Sequence, residues 1–232
     1  MEEKKSAQSF EGEYDEEGVY VYQAFCDGIA DYAIENQAFG GPLFNAKRMT
    51  WIKPSFAWVL YRSGYGTKHN QQRVLKIKLS HESIAQILEN CSCKHGGGGS
   101  FGRVQWDPAR DLFSSEGHEP RKLLNTRAIQ IGMKGHLSEL YVSSVLSIED
   151  VTPLARMVGI AHGVLINSNN KILKNKKKHS VYGINNELIN ILPKEEKYLP
   201  HCSSSTLEML GMIPGKTASE VAKLGRGRFE IN

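Results

Sequence analysis

Hydrophobic and polar positions change period in blocks along the chain, and each block predicts an element. VYVYQAF (Val19–Phe25) is β-branched and aromatic with little polar alternation, which predicts a strand buried on both faces. Ile29, Ala30, Ala33 and Ile34 then recur at helical spacing, predicting a helix from Asp27 to about Ala38 that stops at Phe39-Gly40-Gly41-Pro42. In Arg48–Gly66, Pro54 suits a first helical turn, Phe56, Val59 and Leu60 form an apolar stripe, and Gly64 and Gly66 end it. Arg73–Leu79 reads as a strand, and Ser80 is placed to cap a helix over Glu82–Asn90 that turns Ile84, Ile87 and Leu88 inward. Arg103–Pro108 predicts a short strand, followed by a polar loop to about Asn125. Ala128–Met133 predicts a strand, His136–Ser143 a short helix, and Val145–Ala155 a strand ending at Thr152-Pro153. This order has no βαβ repeat and no G-x-G-x-x-G opening a helix after a strand, which argues against a Rossmann fold. The expectation is a single α+β domain with a mixed, partly split β-sheet flanked by helices.

The ends differ from this middle. Residues 1–18 carry two lysines against seven acids, a net −5, and lack apolar periodicity, so they are expected to be a disordered extension. The total of +4 leaves +9 for the rest, a surplus that suits either a polyanionic ligand or a plain basic surface. Residues 19–200 are expected to form the domain, and residues 201–232, rich in Ser, Gly and Lys, a largely flexible tail with a turn or two of helix at Thr206–Met212. KILKNKKKH (Lys171–His179) reads as solvated linker or as a nucleic-acid or localisation patch.

No window approaches the roughly 18 apolar residues of a membrane span, and MEEKKSAQSF has no secretory core. With only four cysteines, the expected setting is cytoplasmic or nuclear, neither secreted nor membrane-bound. Cys91, Cys93 and His95 lack a fourth ligand and the usual spacing, so no metal is expected. The histidines form no H-E-x-x-H, and no Gly-x-Ser-x-Gly elbow occurs, which disfavours zinc proteases and serine hydrolases.

Chemistry concentrates in Arg48–Lys68. Arg48, Lys53, Ser55, Arg62, Ser63, Tyr65 and Lys68 stand among Trp51, Trp58 and Tyr61. Cations of this kind suit phosphate, and the rings suit a base or nicotinamide. Ser55, at a helical first turn, lies where free N–H groups hold an anion. The competing reading makes Trp58 core, Arg62 a helix C-cap and Ser55 a capping hydroxyl. Gln23, Gln105, Gln130 and Glu149 are polar positions on or beside apparent central strands. Gly132 beside Gln130 permits close approach of a ligand or backbone, and Glu149 offers a carboxylate for a sugar hydroxyl or a developing cation.

VYQAF, RMTWIKPSF, YRSGYGTK, VQWDP, AIQIG and SIEDVTPLA resemble the uncharacterised DUF4291 family over about Val19–Pro200. The matching positions are Tyr22, Gln23, Arg48, Thr50, Trp51, Lys53, Pro54, Ser55, Arg62, Ser63 and Lys68, then Gln105, Trp106, Asp107, Gln130, Gly132, Asp150 and Thr152. More distantly, the order of elements resembles ADP-ribosyltransferase folds, which bind NAD in a split-sheet cleft. That resemblance implies Tyr22 or Gln23 at the nicotinamide ribose, and Arg48, Lys53 and Arg62 at the pyrophosphate. It places Trp51 or Tyr61 on a ring, and Gln130 or Glu149 at the late catalytic position. The leading expectation is an NAD-dependent transferase moving ADP-ribose to a protein or nucleic-acid acceptor. The alternatives are a non-catalytic nucleotide or single-stranded nucleic-acid binding module, and an interaction scaffold.

Overall fold

The computed structural model describes residues 7–93, 101–117, 119–164 and 184–212. In chain order the strands are β1 (Ala7–Gln8), β2 (Glu11–Gly12), β3 (Gly18–Phe25), β4 (Thr50–Ile52), β5 (Arg73–Ser80), β6 (Cys91–Cys93), β7 (Gly102–Glu116), β8 (Glu119–Met133), β9 (Val145–Asp150) and β10 (Glu196–Lys197). The helices are α1 (Asp27–Asn36), α2 (Phe56–Ser63), α3 (His81–Glu89), α4 (His136–Ser143), α5 (Thr152–Ala161), α6 (Asn186–Ile191) and α7 (Ser204–Met209). None is long and apolar enough to cross a membrane.

The weakly alternating strands β3 and β5 are buried along most of their length, because both of their faces are covered. β3 and β5 pair antiparallel from Gly18↔Ser80 to Phe25↔Arg73, and β9 adds to the free edge of β5. A second sheet runs β1-β8-β7-β6, with β4 also on β8, and it mixes parallel and antiparallel pairs. Val19, Val21, Ile77 and Leu79 pack with Ala30 and Ala33 of α1, Ile84, Ile87 and Leu88 of α3, and Ile129, Ile131 and Met133 of β8. A second cluster joins Tyr22 and Val74 to Phe56, Val59 and Leu60 of α2 and Ala155 and Val158 of α5. The protein is an α+β domain with a split sheet.

The two sheets meet at one bridge. The Tyr22 N–H donates to the Lys53 carbonyl at 2.7 Å, and the Lys53 N–H returns to Tyr22 at 3.3 Å. A buried amide secures the junction: Gln23 Nε2 donates to Thr50 Oγ1 at 2.7 Å and to the Trp51 carbonyl at 2.8 Å, while its Oε1 accepts the Tyr141 hydroxyl at 2.6 Å. Tyr141 is fully buried. Tyr141→Phe removes that donor and leaves a buried amide oxygen short of it. A loss of about 1–3 kcal/mol in urea unfolding is expected, and a loss under about 0.5 kcal/mol would show that the bond contributes little.

Four expectations are corrected. The polar segment after Pro108 is not a loop: β7 and β8 continue as a hairpin beyond the core. Its cross-strand ion pairs, Arg110–Glu119 and Arg121–Asp111, both at 2.7 Å, supply little apolar alternation. The late strand stops at Asp150, and Thr152 begins α5, whose first turn accommodates Pro153. The Asp150 carboxylate accepts the Thr152 N–H at 2.9 Å. Residues 7–18 of the expected disordered extension are folded. Phe10 is buried, and the acids meet lysines that alternate along β5: Glu13 bonds Lys76 at 2.9 Å, and Asp15 and Glu17 bond Lys78 at 2.9 and 2.5 Å. At the other end, residues 201–212 of the expected flexible tail are also packed. Leu207, Leu210 and Met212 enter the core, and Trp106 Nε1 donates to the Leu210 carbonyl at 2.8 Å. The runs Lys171–His179 and Gly225–Arg228, together with His95, lie outside the described residues.

Candidate functional site

Helix α2 has two faces because its rings and cations are spaced three and four apart. Pro54 precedes it, the Ser55 side chain caps the Trp58 N–H at 3.4 Å, and Gly64 ends it at φ 58°. Phe56, Val59, Leu60 and Ser63 turn to the interior, while Trp58, Tyr61 and Arg62 line a cleft of about 550 Å³. Trp51 and Lys53 reach the same cleft from β4 and the bridge that follows it.

Strand alternation supplies the opposite wall. Gln105 and Asp107 are two apart on β7, and Gln105 stands opposite Gln130 on β8. All three line the cleft, where Gln130 Nε2 donates to Gln105 Oε1 at 2.9 Å and to Asp107 Oδ2. The ladder shifts register between Pro108 and Arg110, and Arg110 then faces Lys122 across the hairpin, with both side chains at the cleft. Gly132 does allow a close approach, but by Trp51: an added Cβ would lie 2.7–2.8 Å from three indole carbons.

The charges in the cleft are only partly matched. Lys53 is 9% exposed, with its Nζ 4.4 Å from the centre of the Trp58 ring. Among the described residues this nitrogen has no hydrogen bond or ion pair. Burial, and secondarily the charge of Arg62, push the Lys53 ammonium down to about 8, against the opposing pull of Asp107. Burial raises the Asp107 carboxyl above its ordinary value, opposed by Lys53, the Gln130 amide, Arg127 and Arg62. The Arg110 guanidinium lies 3.6 Å from the centre of the Tyr61 ring and bonds Glu119 and the Pro120 carbonyl, yet its buried Nε has no partner.

The family model for a domain of unknown function, DUF4291, matches residues 9–198. The chain belongs to the DUF4291 family. The match spans every described residue that lines the cleft and stops short of α7. No curated protein matches this DUF4291 chain in sequence.

Of the sequence candidates, Trp51, Lys53, Trp58, Tyr61, Arg62, Gln105 and Gln130 meet at the cleft. The others lie elsewhere. Tyr22 is buried with its hydroxyl on Glu13, and Gln23 is occupied at the sheet junction. Ser55 is a helix cap, and Ser63 is buried, donating to the Val59 carbonyl and accepting the Gly66 N–H. Arg48 is exposed and does not line the cleft. Glu149 is exposed on β9 opposite Lys76, in the other sheet. The only carboxylate among the described cleft-lining residues is Asp107, whose pairing with Pro108 reads as a turn signal in sequence. Arg110 and Lys122 fall in the stretch that reads as a polar loop.

At the N-terminal end of α2 lies a group that no local pattern announces. Glu195 accepts the Phe56 N–H at 2.5 Å, and burial pushes its carboxyl up to about 8, a rise that the bonds from Phe56 and Ser55 oppose and Glu11 and Glu13 reinforce. It belongs to the run K-E-E-K, and only the return of the chain brings it to a helix 139 residues away.

Proposed function

We propose that the cleft binds NAD and that the protein transfers ADP-ribose from it to a protein or nucleic-acid acceptor. The observation that carries this reading is the meeting of Lys53, Arg62, Arg110 and Lys122 with the Trp51, Trp58 and Tyr61 rings around a single carboxylate, Asp107. The Lys53 ammonium, which has no hydrogen bond or ion pair among the described residues, and the Arg62 guanidinium suit the anionic pyrophosphate, and an aromatic face suits adenine or nicotinamide. In the reaction the nicotinamide–ribose C–N bond breaks heterolytically and nicotinamide leaves with the electron pair. The cationic sugar carbon is steadied by ionised Asp107 and captured by the acceptor nucleophile, which releases its proton. On this reading Asp107 takes the role expected of Gln130 or Glu149, and Gln130 orients it through a hydrogen bond from its side-chain amide.

The test is incubation with NAD, with nicotinamide release followed chromatographically and binding followed by saturation-transfer NMR. Arg62 is exposed at the rim, so Arg62→Ala should leave the fold intact and weaken NAD binding about tenfold, by analogy with loss of a charge-assisted hydrogen bond. Unchanged binding would remove Arg62 from the phosphate site. A second reading rests on the exposed Arg121 and Lys122 of the hairpin, which continue the basic character of the cleft toward a single-stranded nucleic acid. Steeply salt-dependent oligonucleotide binding without nicotinamide release would favour it.

A further inference from the structure

We propose that Lys53 is a nucleophilic amine that forms an imine with the carbonyl carbon of a phosphate-bearing aldehyde or ketone. The placement of the residue carries this inference. Its backbone is fixed on both sides by the bridge to Tyr22, and its side chain is nine-tenths buried against Trp58. The nitrogen faces the cleft without a hydrogen bond or ion pair among the described residues. A lysine nine-tenths buried and beside another cation is the arrangement that keeps an amine neutral and reactive, against the Trp58 face, which favours the ammonium. Arg62 and Arg110 line the same cleft and suit a phosphate, while Asp107 is a nearby acid.

The step balances within these groups. The amine lone pair adds to the carbonyl carbon, and the carbonyl oxygen takes one of the two amine protons to give a carbinolamine. Asp107 protonates the departing hydroxyl, the C–O bond breaks, water leaves, and loss of the nitrogen proton restores Asp107 and leaves C=N. The charges that act on Lys53 are Arg62 from α2, which favours the amine, and Asp107 from β7, which opposes it; Arg110 and Lys122 line the same cleft. Burial dominates, and with the group at about 8 roughly a quarter of it is neutral at pH 7.5, against about one part in a thousand for an ordinary lysine. The requirement is a carbonyl and a phosphate on one molecule, whether or not NAD is the ligand; ring-opened sugar phosphates, including ADP-ribose, belong to this class.

The experiment treats the full chain with pyridoxal 5′-phosphate at pH 7.5, reduces with borohydride and maps the modified lysines by peptide mass spectrometry. The expected result is preferential labelling of Lys53, at least about tenfold above any other lysine, rising with pH through about 8. Lys53→Met should remove this site, with circular dichroism reporting its fold. Arg62→Ala, an exposed change, should lower Lys53 labelling to the rate given by pyridoxal without its phosphate. Labelling spread over surface lysines with Lys53 unmodified would overturn the proposal, and equal labelling by pyridoxal would overturn the phosphate-bearing class. Lys53 labelled without nicotinamide release from NAD counts against the transferase alone. Nicotinamide release with Lys53 unlabelled counts against the imine alone.

Discussion

Glu195→Gln is expected to stabilise the protein by about 2–4 kcal/mol at pH 9 and to remove most of its loss of stability between pH 5 and 8. The cause is the carboxyl at the N-terminal end of α2, raised by burial from its ordinary 4.5 to about 8. Between those two values the folded chain holds a proton that the unfolded chain has released. Stability from this group is therefore fully present below about 4.5 and is lost as pH rises through about 8. Glutamine keeps an oxygen to accept the Phe56 N–H and has no proton to lose.

Other groups act in different windows. For Asp15, burial alone raises the pKa, but the bonds from Lys78 and Tyr20 and the Glu17 and Gly18 N–H groups outweigh it and bring the carboxyl down to about 2. Its contribution is present above its ordinary 3.8 and is lost as pH falls through about 2. Lys53, lowered from 10.5 to about 8, resists charging in the fold, so its penalty fades as pH climbs through that upper range. Urea unfolding of both proteins at pH 5.5, 7 and 8.5 separates these effects. A glutamine variant that loses stability as steeply as the parent would show that another group titrates in this window.

The elements legible in the sequence are those whose side chains meet the core with a regular period. Val19 and Val21 on β3, Ile77 and Leu79 on β5, and Ile84, Ile87 and Leu88 on α3 are buried as their spacing predicts. The outer half of the β7–β8 hairpin was illegible because Arg110, Asp111, Glu119 and Arg121 hold it with charge pairs, and neither face presents an apolar row. The acidic start failed in the same way. Its carboxylates are matched by Lys76 and Lys78, more than sixty residues later, a pairing that no local window contains.

The cleft was half legible for a related reason. Trp51, Lys53, Tyr61 and Arg62 lie within twelve residues, where the density of rings and cations is visible. Asp107, Arg110 and Lys122 reach the cleft only through the register of the hairpin and its shift after Pro108. Glu149 and Arg48 have suitable chemistry, but the split of the sheet and the exposed approach to β4 set them outside it.

Asp107→Asn is expected to reduce nicotinamide release from NAD about a hundredfold or more, in kcat and kcat/KM alike, while NAD binding changes only severalfold. Asparagine has the same shape and retains an oxygen for the Gln130 amide, so the β7–β8 wall persists. Under the proposed reaction, what disappears is the negative charge beside the sugar carbon as its bond to nicotinamide breaks. Loss of a stabiliser that acts only as charge develops lowers the rate without a matching loss of ground-state affinity. The same substitution removes the one charge that raises the Lys53 pKa, so Lys53 should titrate still lower in the variant. Glu149→Gln is the paired control: that carboxylate is exposed on β9, opposite Lys76, and release should be unchanged. A loss below about tenfold for Asp107→Asn, or a large loss for Glu149→Gln, would move the catalytic carboxylate out of this cleft.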